Sequence, residues 1–178
     1  MTISESLRRA VRQRAQYRCE YCNVSEVQCG GELTIDHFQP PRRGGSYDDP
    51  ENLLSCCPRC NQYKSDYWPT TPTDVPLWNP RTMQRDQHMI ELANGTLYPV
   101  TAIGDYTIRR LRLNRAPLIA NRLQRHRDEA QARLLSELRQ LITLQEQLQQ
   151  QHAQLIQEQR QLLEQQRALL ALLLNSIR

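Results

Sequence analysis

The stretch that decides the fold runs from residue 19 to residue 64 and reads CEYCNVSEVQCGGELTIDHFQPPRRGGSYDDPENLLSCCPRCNQYK. Its ends are two C-x2-C pairs, Cys19 with Cys22 and Cys57 with Cys60, separated by 34 residues. Four thiolates from two such pairs can surround a tetrahedral Zn²⁺, and the bound metal contributes folding free energy. The spacing therefore predicts a structural Zn²⁺ site, with a redox dithiol pair as the alternative.

The remaining two cysteines are Cys29 and Cys56. Cys56 could replace Cys57, but the resulting C-x3-C spacing is less typical of a zinc knuckle, and Cys29 is most simply a loop thiol. The chain has no apolar run of signal-peptide or membrane-spanning length, so we expect a cytoplasmic protein with no membrane segment. Close cysteine pairs in a reducing compartment indicate metal ligands rather than disulfides.

The composition divides the chain of 178 residues into two unlike parts. Glycines, cysteines and aromatic residues all lie before Thr107, and the 61 residues after Pro117 contain no Gly, Pro, Cys or aromatic residue. Only the front part can form a small globular core, and that core is thin enough to need a stabilising cross-link such as a metal. We therefore predict three segments: 1–67, 68–116 and 117–178.

Residue types around the cysteine pairs predict an α+β arrangement. Ser4 can cap a basic amphipathic helix from Glu5 to about Gln16. The elements expected next are a loop over 23–31, a strand over 33–38, a returning strand over 52–55 and a helix with Pro58 in its first turn.

Proline and glycine positions organise the next segment. Four prolines between residues 68 and 80 exclude a helix and predict an extended strap. The Asn94-Gly95 pair predicts a β-hairpin. We expect residues 101–105 to turn the chain and a helical pattern to begin at about Tyr106, with Pro117 at a break or in a fresh first turn.

Polar residues placed between and after the cysteine pairs complete a larger pattern. It reads Cys19-x2-Cys22, Asp36-His37, Arg42-Arg43-Gly44-Gly45, Asn52-Leu53 and Cys57-x2-Cys60-Asn61-x2-Lys64. With this pattern, roughly residues 8 to 66 resemble the HNH endonuclease family, and a weaker likeness continues to about Arg115. The resemblance implies a small ββα-metal nuclease domain, here followed by the β-hairpin extension and a long C-terminal α-helix.

The resemblance also assigns roles within a phosphodiesterase site. A neutral histidine can take a proton from water at physiological pH, so His37 is the candidate general base. The family implies that Asp36 and Asn61 hold one divalent cation, and their oxygen atoms favour Mg²⁺ or Mn²⁺. Asn52 is expected to complete the catalytic group by pinning the loop that carries His37.

Basic residues near these positions are candidates for contact with nucleic-acid phosphate. The arginine-rich first helix, the Arg-Arg-Gly-Gly loop and the helix after the second cysteine pair contribute Arg14, Arg18, Arg42, Arg43, Arg59 and Lys64. A solvated surface is the alternative for the first helix, but its placement beside the phosphodiesterase-like site favours phosphate contact. No base-reading module is evident, so we expect DNA binding through shape and phosphate with little sequence specificity.

The tail predicts a long helix with an apolar stripe. Leucines recur at every seventh residue from Leu134 to Leu169, while the neighbouring heptad row is polar at Gln145, His152, Gln159 and Gln166. Such a helix has a face to bury but does not encode a strong parallel dimer. We expect the tail to form a coiled coil that binds a second copy or a protein partner. The alternative is a frayed helical appendage.

Two functions fit the whole sequence. The first is a metal-dependent HNH endonuclease that hydrolyses DNA phosphodiester bonds. The second is a non-catalytic, zinc-stabilised nucleic-acid-binding module with a helical interaction tail. The first is favoured because a protein that only binds has no need for Asp36, His37 and Asn61 together.

Overall fold

A computed structural model describes residues 3–176 of the chain and the side chains of residues 3–170. The elements follow in the order α1 Glu5–Arg14, α2 Glu26–Cys29, β1 Thr34–His37, β2 Leu53–Cys56, α3 Pro58–Lys64, β3 Met89–Glu91, β4 Leu97–Pro99, α4 Ala102–Arg110 and α5 Ala116–Ser176. Short 3-10 turns lie at Pro41–Arg43 and Pro50–Asn52. The predicted α+β class, with a hairpin near the cysteine pairs and a long final helix, is confirmed.

A ββα unit forms the centre of the front part. β1 and β2 are antiparallel, with Thr34 opposite Cys56 and His37 opposite Leu53. Cys57 caps α3 by accepting a hydrogen bond from the Cys60 N–H through its sulfur, and Pro58 occupies the first turn, where its missing N–H costs nothing. The strand pair and α3 therefore place both members of the second cysteine pair at the start of a helix.

The segment between the first cysteine pair and β1 is not the loop that the sequence predicts. Residues 26–29 form the short helix α2, because Ser25 and Gln28 make a reciprocal capping box. Glu26 of this helix accepts hydrogen bonds from the Nε and Nη2 atoms of Arg12 at 2.8 and 2.9 Å. This two-point ion pair connects α2 to α1.

The strap and hairpin pack on the ββα unit. Trp78 is buried edge-on to Tyr21, with ring centroids 6.4 Å apart, so the strap covers the first cysteine pair. The hairpin forms as predicted. The helix predicted from about Tyr106 begins earlier, as α4 at Ala102, because the Thr101 side chain accepts a hydrogen bond from the Gly104 N–H and caps it.

Contacts divide the chain into two compact units, one ending at His126 and one starting at Arg127. The first turns of α5 belong to the first unit: Arg122 is buried and donates hydrogen bonds to the main-chain oxygens of Gly95 and Leu113. The second unit is the remainder of α5. Within residues 3–176, no helix has both the length and the apolar character needed to cross a membrane.

Candidate functional site

The four cysteines of the two C-x2-C pairs lie together in the folded chain. All four sulfur atoms lie within 4.8 Å of one another, and the sulfurs of Cys22 and Cys57 are 3.7 Å apart. Zinc bound tetrahedrally, with Zn–S bonds of about 2.3 Å, holds its sulfur ligands about 3.8 Å apart. The four cysteines are therefore arranged to hold a metal ion, and the donor set and spacing are compatible with Zn²⁺.

Within the cluster, Cys19 is the cysteine whose surroundings most favour thiolate, the form that binds metal, whereas hydrogen bonding to Cys19 raises the pKa of Cys22 and Cys60. Hydrogen bonds from neighbouring thiols, that of Cys22 first, hold the pKa of Cys19 well below its ordinary value. The Nη2 atom of Arg115 lies 3.9 Å from the Cys60 sulfur and supplies positive charge beside it. Cys56 is buried next to the four ligands without being one of them, and Cys29 is exposed.

Asp36 lies in a buried ion pair between β1 and α3. The Lys64 ammonium is 3.1 Å from Asp36 Oδ2 and donates to Asp36 Oδ1 at 3.4 Å and to the His37 main-chain oxygen at 2.6 Å. Burial raises the pKa of Asp36, and the charge of Lys64 and the nearby His37 oppose the shift. Both carboxylate oxygens therefore face the Lys64 ammonium, and the buried Oδ2 has no further hydrogen-bond donor.

Asn61 lies one helical turn before Lys64 and contacts the same strand. Its Nδ2 atom donates to the Thr34 hydroxyl at 3.4 Å, which leaves the amide oxygen as its acceptor group. Thr34 and Asp36 are two residues apart on β1 and therefore share a face of the strand. The structure thus brings Asp36, Asn61 and Lys64 to one face of the strand pair.

His37 is the last residue of β1, and the loop that follows holds its ring. The Nε2 atom lies 2.8 Å from the main-chain oxygen of Tyr47, and the ring centroids of His37 and Tyr47 are 5.1 Å apart. Strand alternation alone would direct His37 and Asp36 to opposite faces. Because β1 ends at His37, the loop rather than the sheet determines the orientation of the imidazole.

Asn52 and Gly45 give this loop its shape. The Asn52 amide accepts from the Gln39 N–H at 2.8 Å and donates to the oxygens of Gln39 at 3.0 Å and Ser46 at 2.7 Å. A Cβ atom at Gly45 would collide with the Gln39 main chain, so only glycine fits this close approach. These contacts suit a residue that pins the His37 loop.

The predicted phosphate-contacting residues differ in exposure. Four of the side chains reach the surface: Arg18, Arg42, Arg43 and Arg59. Arg14 instead donates to the main-chain oxygens of Pro50 and Leu53 at 2.8 and 2.6 Å, and Lys64 is buried on Asp36. Both are engaged by intramolecular contacts, and for all six residues a role in binding nucleic acid stays a prediction.

Three residues enter the site without having been singled out in the sequence. Tyr47 contributes a main-chain oxygen, which carries no sequence signature. Thr34 was visible only as a strand residue, and its contact with Asn61 depends on the register of the strand pair. Arg115 closes the segment of weaker family likeness, and that is the one signal that could have pointed to it.

Comparison with known proteins gives one result for this region. A family model described as HNH endonuclease matches residues 19–66, from the first cysteine of the cluster to just past α3. Neither the comparison with curated proteins nor that with solved structures found a match.

Proposed function

We propose that the protein is a metal-dependent endonuclease that hydrolyses DNA phosphodiester bonds, because residues 19–66 match the HNH endonuclease family model and contain four cysteines arranged to hold a metal ion. The observation that carries the proposal is the fixed imidazole of His37, held next to the Asp36 carboxylate at the end of β1. A module that only binds nucleic acid gains nothing from this arrangement.

His37 is the proposed general base. A carbonyl oxygen only accepts hydrogen bonds, so the contact with Tyr47 requires the Nε2 atom to carry the proton. The Nδ1 atom of the neutral ring is then an acceptor. We assign it the proton of the attacking water, in line with the role of histidine as a base near neutral pH.

Asp36 and Asn61 are the proposed ligands of a divalent cation. The Asp36 carboxylate, which Lys64 ion-pairs, and the amide oxygen of Asn61 both offer hard oxygen donors, which suit Mg²⁺ or Mn²⁺. When bound, such an ion would offset negative charge on the phosphate and on the leaving oxygen. Lys64 holds Asp36 in place and adds a positive charge to the site.

The DNA-binding part of the proposal rests on exposed arginines near this site. Arg42 and Arg43 follow His37 within one loop, and Arg59 lies on the first turn of α3. Their guanidinium groups are suited to phosphate contact, which positions a duplex without reading its sequence.

The proposal also includes the cellular location of the protein and the binding role of α5. Reduced cysteine ligands suit a cytoplasmic location. The long α5 helix is proposed to bind another protein chain.

A plasmid-cleavage assay with Mg²⁺ or Mn²⁺ tests the enzyme proposal. We expect wild-type protein to nick or cut the plasmid and His37→Ala to lose at least about 100-fold in rate, the usual contribution of a general base. His88→Ala is the matched control, because His88 contacts Thr101 at the hairpin, outside the site. Zinc content and circular dichroism verify that each variant is folded.

The alternative function gives a different result in the same assay. A zinc-stabilised binding module would retain DNA in a gel-shift experiment, yet show no metal-dependent cleavage above the His37→Ala background. That outcome would replace the endonuclease proposal by the binding module.

A further inference from the structure

The second unit of the chain carries two parallel apolar rows on α5. The first row is Leu134, Leu141, Leu148, Leu155, Leu162 and Leu169, and the second is Leu135, Ile142, Ile156, Leu163 and Leu170. Every member of these rows is between 48% and 61% exposed. A continuous, exposed apolar stripe of this kind marks an interaction surface.

A polar row runs between the two apolar rows. An α-helix turns by about 100° per residue. The residue four places after each leucine of the first row therefore lies about 40° around the helix axis from that leucine, towards the second row. Beyond Leu138 these places are taken by Gln145, His152, Gln159 and Gln166. Any partner that covers the leucines must therefore also satisfy the hydrogen bonds of these four side chains.

We propose that this face binds a second copy of the same helix, parallel and in register, over residues 134–170. In that arrangement each residue of the polar row meets its own counterpart. Glutamine carries both donors and an acceptor, and neutral imidazole carries one of each, so both residue types can pair with themselves. The apolar rows then close over the polar layers from both sides.

In an antiparallel pair, the side chains of the polar row would lack hydrogen-bond partners. In an antiparallel coiled coil each residue of the polar row shares its layer with a residue of the first row of the other copy, which is a leucine at every position from 134 to 169. The amides would face hydrocarbon without a partner, at a cost for each layer. Buried polar layers of this kind are known to fix register and orientation in coiled coils.

Charge placement is compatible with the parallel pair. The remaining position of the second row is Gln149, so this row contains no charged residue. Glu137 and Glu158, which flank the first row on its other side, therefore face no like charge across a parallel interface. Two copies also leave the edges of the polar layers within reach of water, whereas a larger bundle would enclose them.

Cross-linking of full-length protein tests the orientation. In a Cys29→Ser background, Leu138→Cys and Gln166→Cys place a thiol near each end of the polar row, about 42 Å apart along the helix. With a short bismaleimide and zinc-loaded protein, we expect each variant alone to form a covalent dimer. The matched control is Gln150→Cys on the opposite face of the helix, which should stay monomeric on denaturing gels.

The other cross-linking outcomes overturn the proposal. An antiparallel pair would link the two variants only when they are mixed, and neither of them alone. A protein partner or an isolated helix would give no more product than Gln150→Cys.

Sedimentation equilibrium tests the apolar rows separately from catalysis. We expect wild-type protein to have the mass of two chains and Leu155→Lys to weaken dimerisation at least about 100-fold. Gln157→Lys adds the same charge on the opposite face and should leave the dimer intact. A monomeric wild type, a mass of three or more chains, or equal loss in both variants would refute the second-copy assignment, whatever the cleavage assay shows.

Discussion

The Nε2 atom of His37 lies 2.8 Å from the main-chain oxygen of Tyr47. This single contact determines which ring nitrogen carries the proton and therefore which one can act as a base. It depends on the loop between β1 and β2, whose path is set by Asn52 and Gly45. The proposed chemistry thus depends on loop packing as much as on the identity of the histidine.

Metal removal is expected to unfold the first unit. Tyr21 lies between two ligands, Cys19 and Cys22, and packs against Trp78, so the aromatic core depends on the cluster. Structural zinc contributes roughly 10–16 kcal/mol in small domains, comparable to the whole stability of a protein. We expect chelation, or Cys57→Ser, to abolish the near-ultraviolet circular dichroism signal, with one zinc per chain lost.

Cys29→Ser is the control for this prediction. Cys29 is exposed and lies outside the four-ligand set, so the variant should keep its zinc and its spectrum. An unchanged unfolding transition after complete zinc removal would contradict a structural role for the metal.

Asn52→Asp is expected to disturb the His37 loop. The new carboxylate can still accept from the Gln39 N–H, but it would present an oxygen to the main-chain oxygens of Gln39 and Ser46, where the amide now donates. Losing one part-buried and one exposed hydrogen bond and adding charge repulsion should cost roughly 1–3 kcal/mol in unfolding free energy. Urea denaturation measures the cost, and DNA cleavage should fall with it.

Asn121→Asp provides the comparison. The Asn121 side chain accepts a hydrogen bond from Gln28 through its oxygen, and aspartate keeps that acceptor. Equal destabilisation by the two substitutions would show that the added charge, rather than the lost donor, is responsible.

The fold was predictable where a local signal and the tertiary contacts agree. Cysteine spacing located the metal site, and the Asn94-Gly95 pair located the hairpin. The two errors arose at helix starts: Ser25 with Gln28, and Thr101, are short capping signals in segments of otherwise loop-like composition. Capping hydrogen bonds compensate for weak helical periodicity, and the periodicity was the signal used for prediction.

The site was less predictable because burial decides what a charge can contact. Lys64 resembles an exposed phosphate ligand in the sequence, yet α3 turns it inward onto Asp36, where it is 1% exposed. Arg14 belongs to an arginine-rich helix but reaches two carbonyl oxygens at the start of β2. Neither contact can be read from residue type, since both depend on how α1 and α3 are rotated against the strand pair.

Stability should depend on acid pH through Glu91. Burial pushes the pKa of Glu91 upward, but the hydrogen bonds and charge of Arg125, with Arg85 and Arg122, outweigh it and hold the pKa below its ordinary value. The folded state therefore binds this proton less tightly than the unfolded state. The stabilisation is present above the ordinary carboxyl pKa of about 4.3 and is lost as the pH falls through the folded value.

Glu91→Gln should remove this contribution. We expect a loss of roughly 1–3 kcal/mol at pH 7, measured by urea unfolding, and a smaller difference from wild type below about pH 4. Glu32→Gln is the control, because Glu32 pairs with Arg12 while 77% exposed and such pairs contribute little. Because His126 Nε2 also lies 2.7 Å from Glu91 Oε1, the comparison is made between about pH 5 and pH 3, where a difference that grows on acidification would have the wrong sign for a lowered pKa.

The double substitution Arg42→Ala with Arg43→Ala is expected to weaken DNA binding without affecting the chemistry. Both side chains are exposed on the turn Pro41–Arg43, a few residues beyond His37. Each phosphate contact contributes about 0.9 to the slope of log affinity against log salt. Loss of two contacts should lower that slope by about 2, measured by fluorescence anisotropy on a short duplex, while cleavage at saturating protein stays near wild type.

Arg160→Ala with Arg167→Ala removes the same charge from the second unit and should leave the slope unchanged. Equal effects from both pairs would indicate that net charge, rather than a contact made by the His37 loop, attracts the DNA.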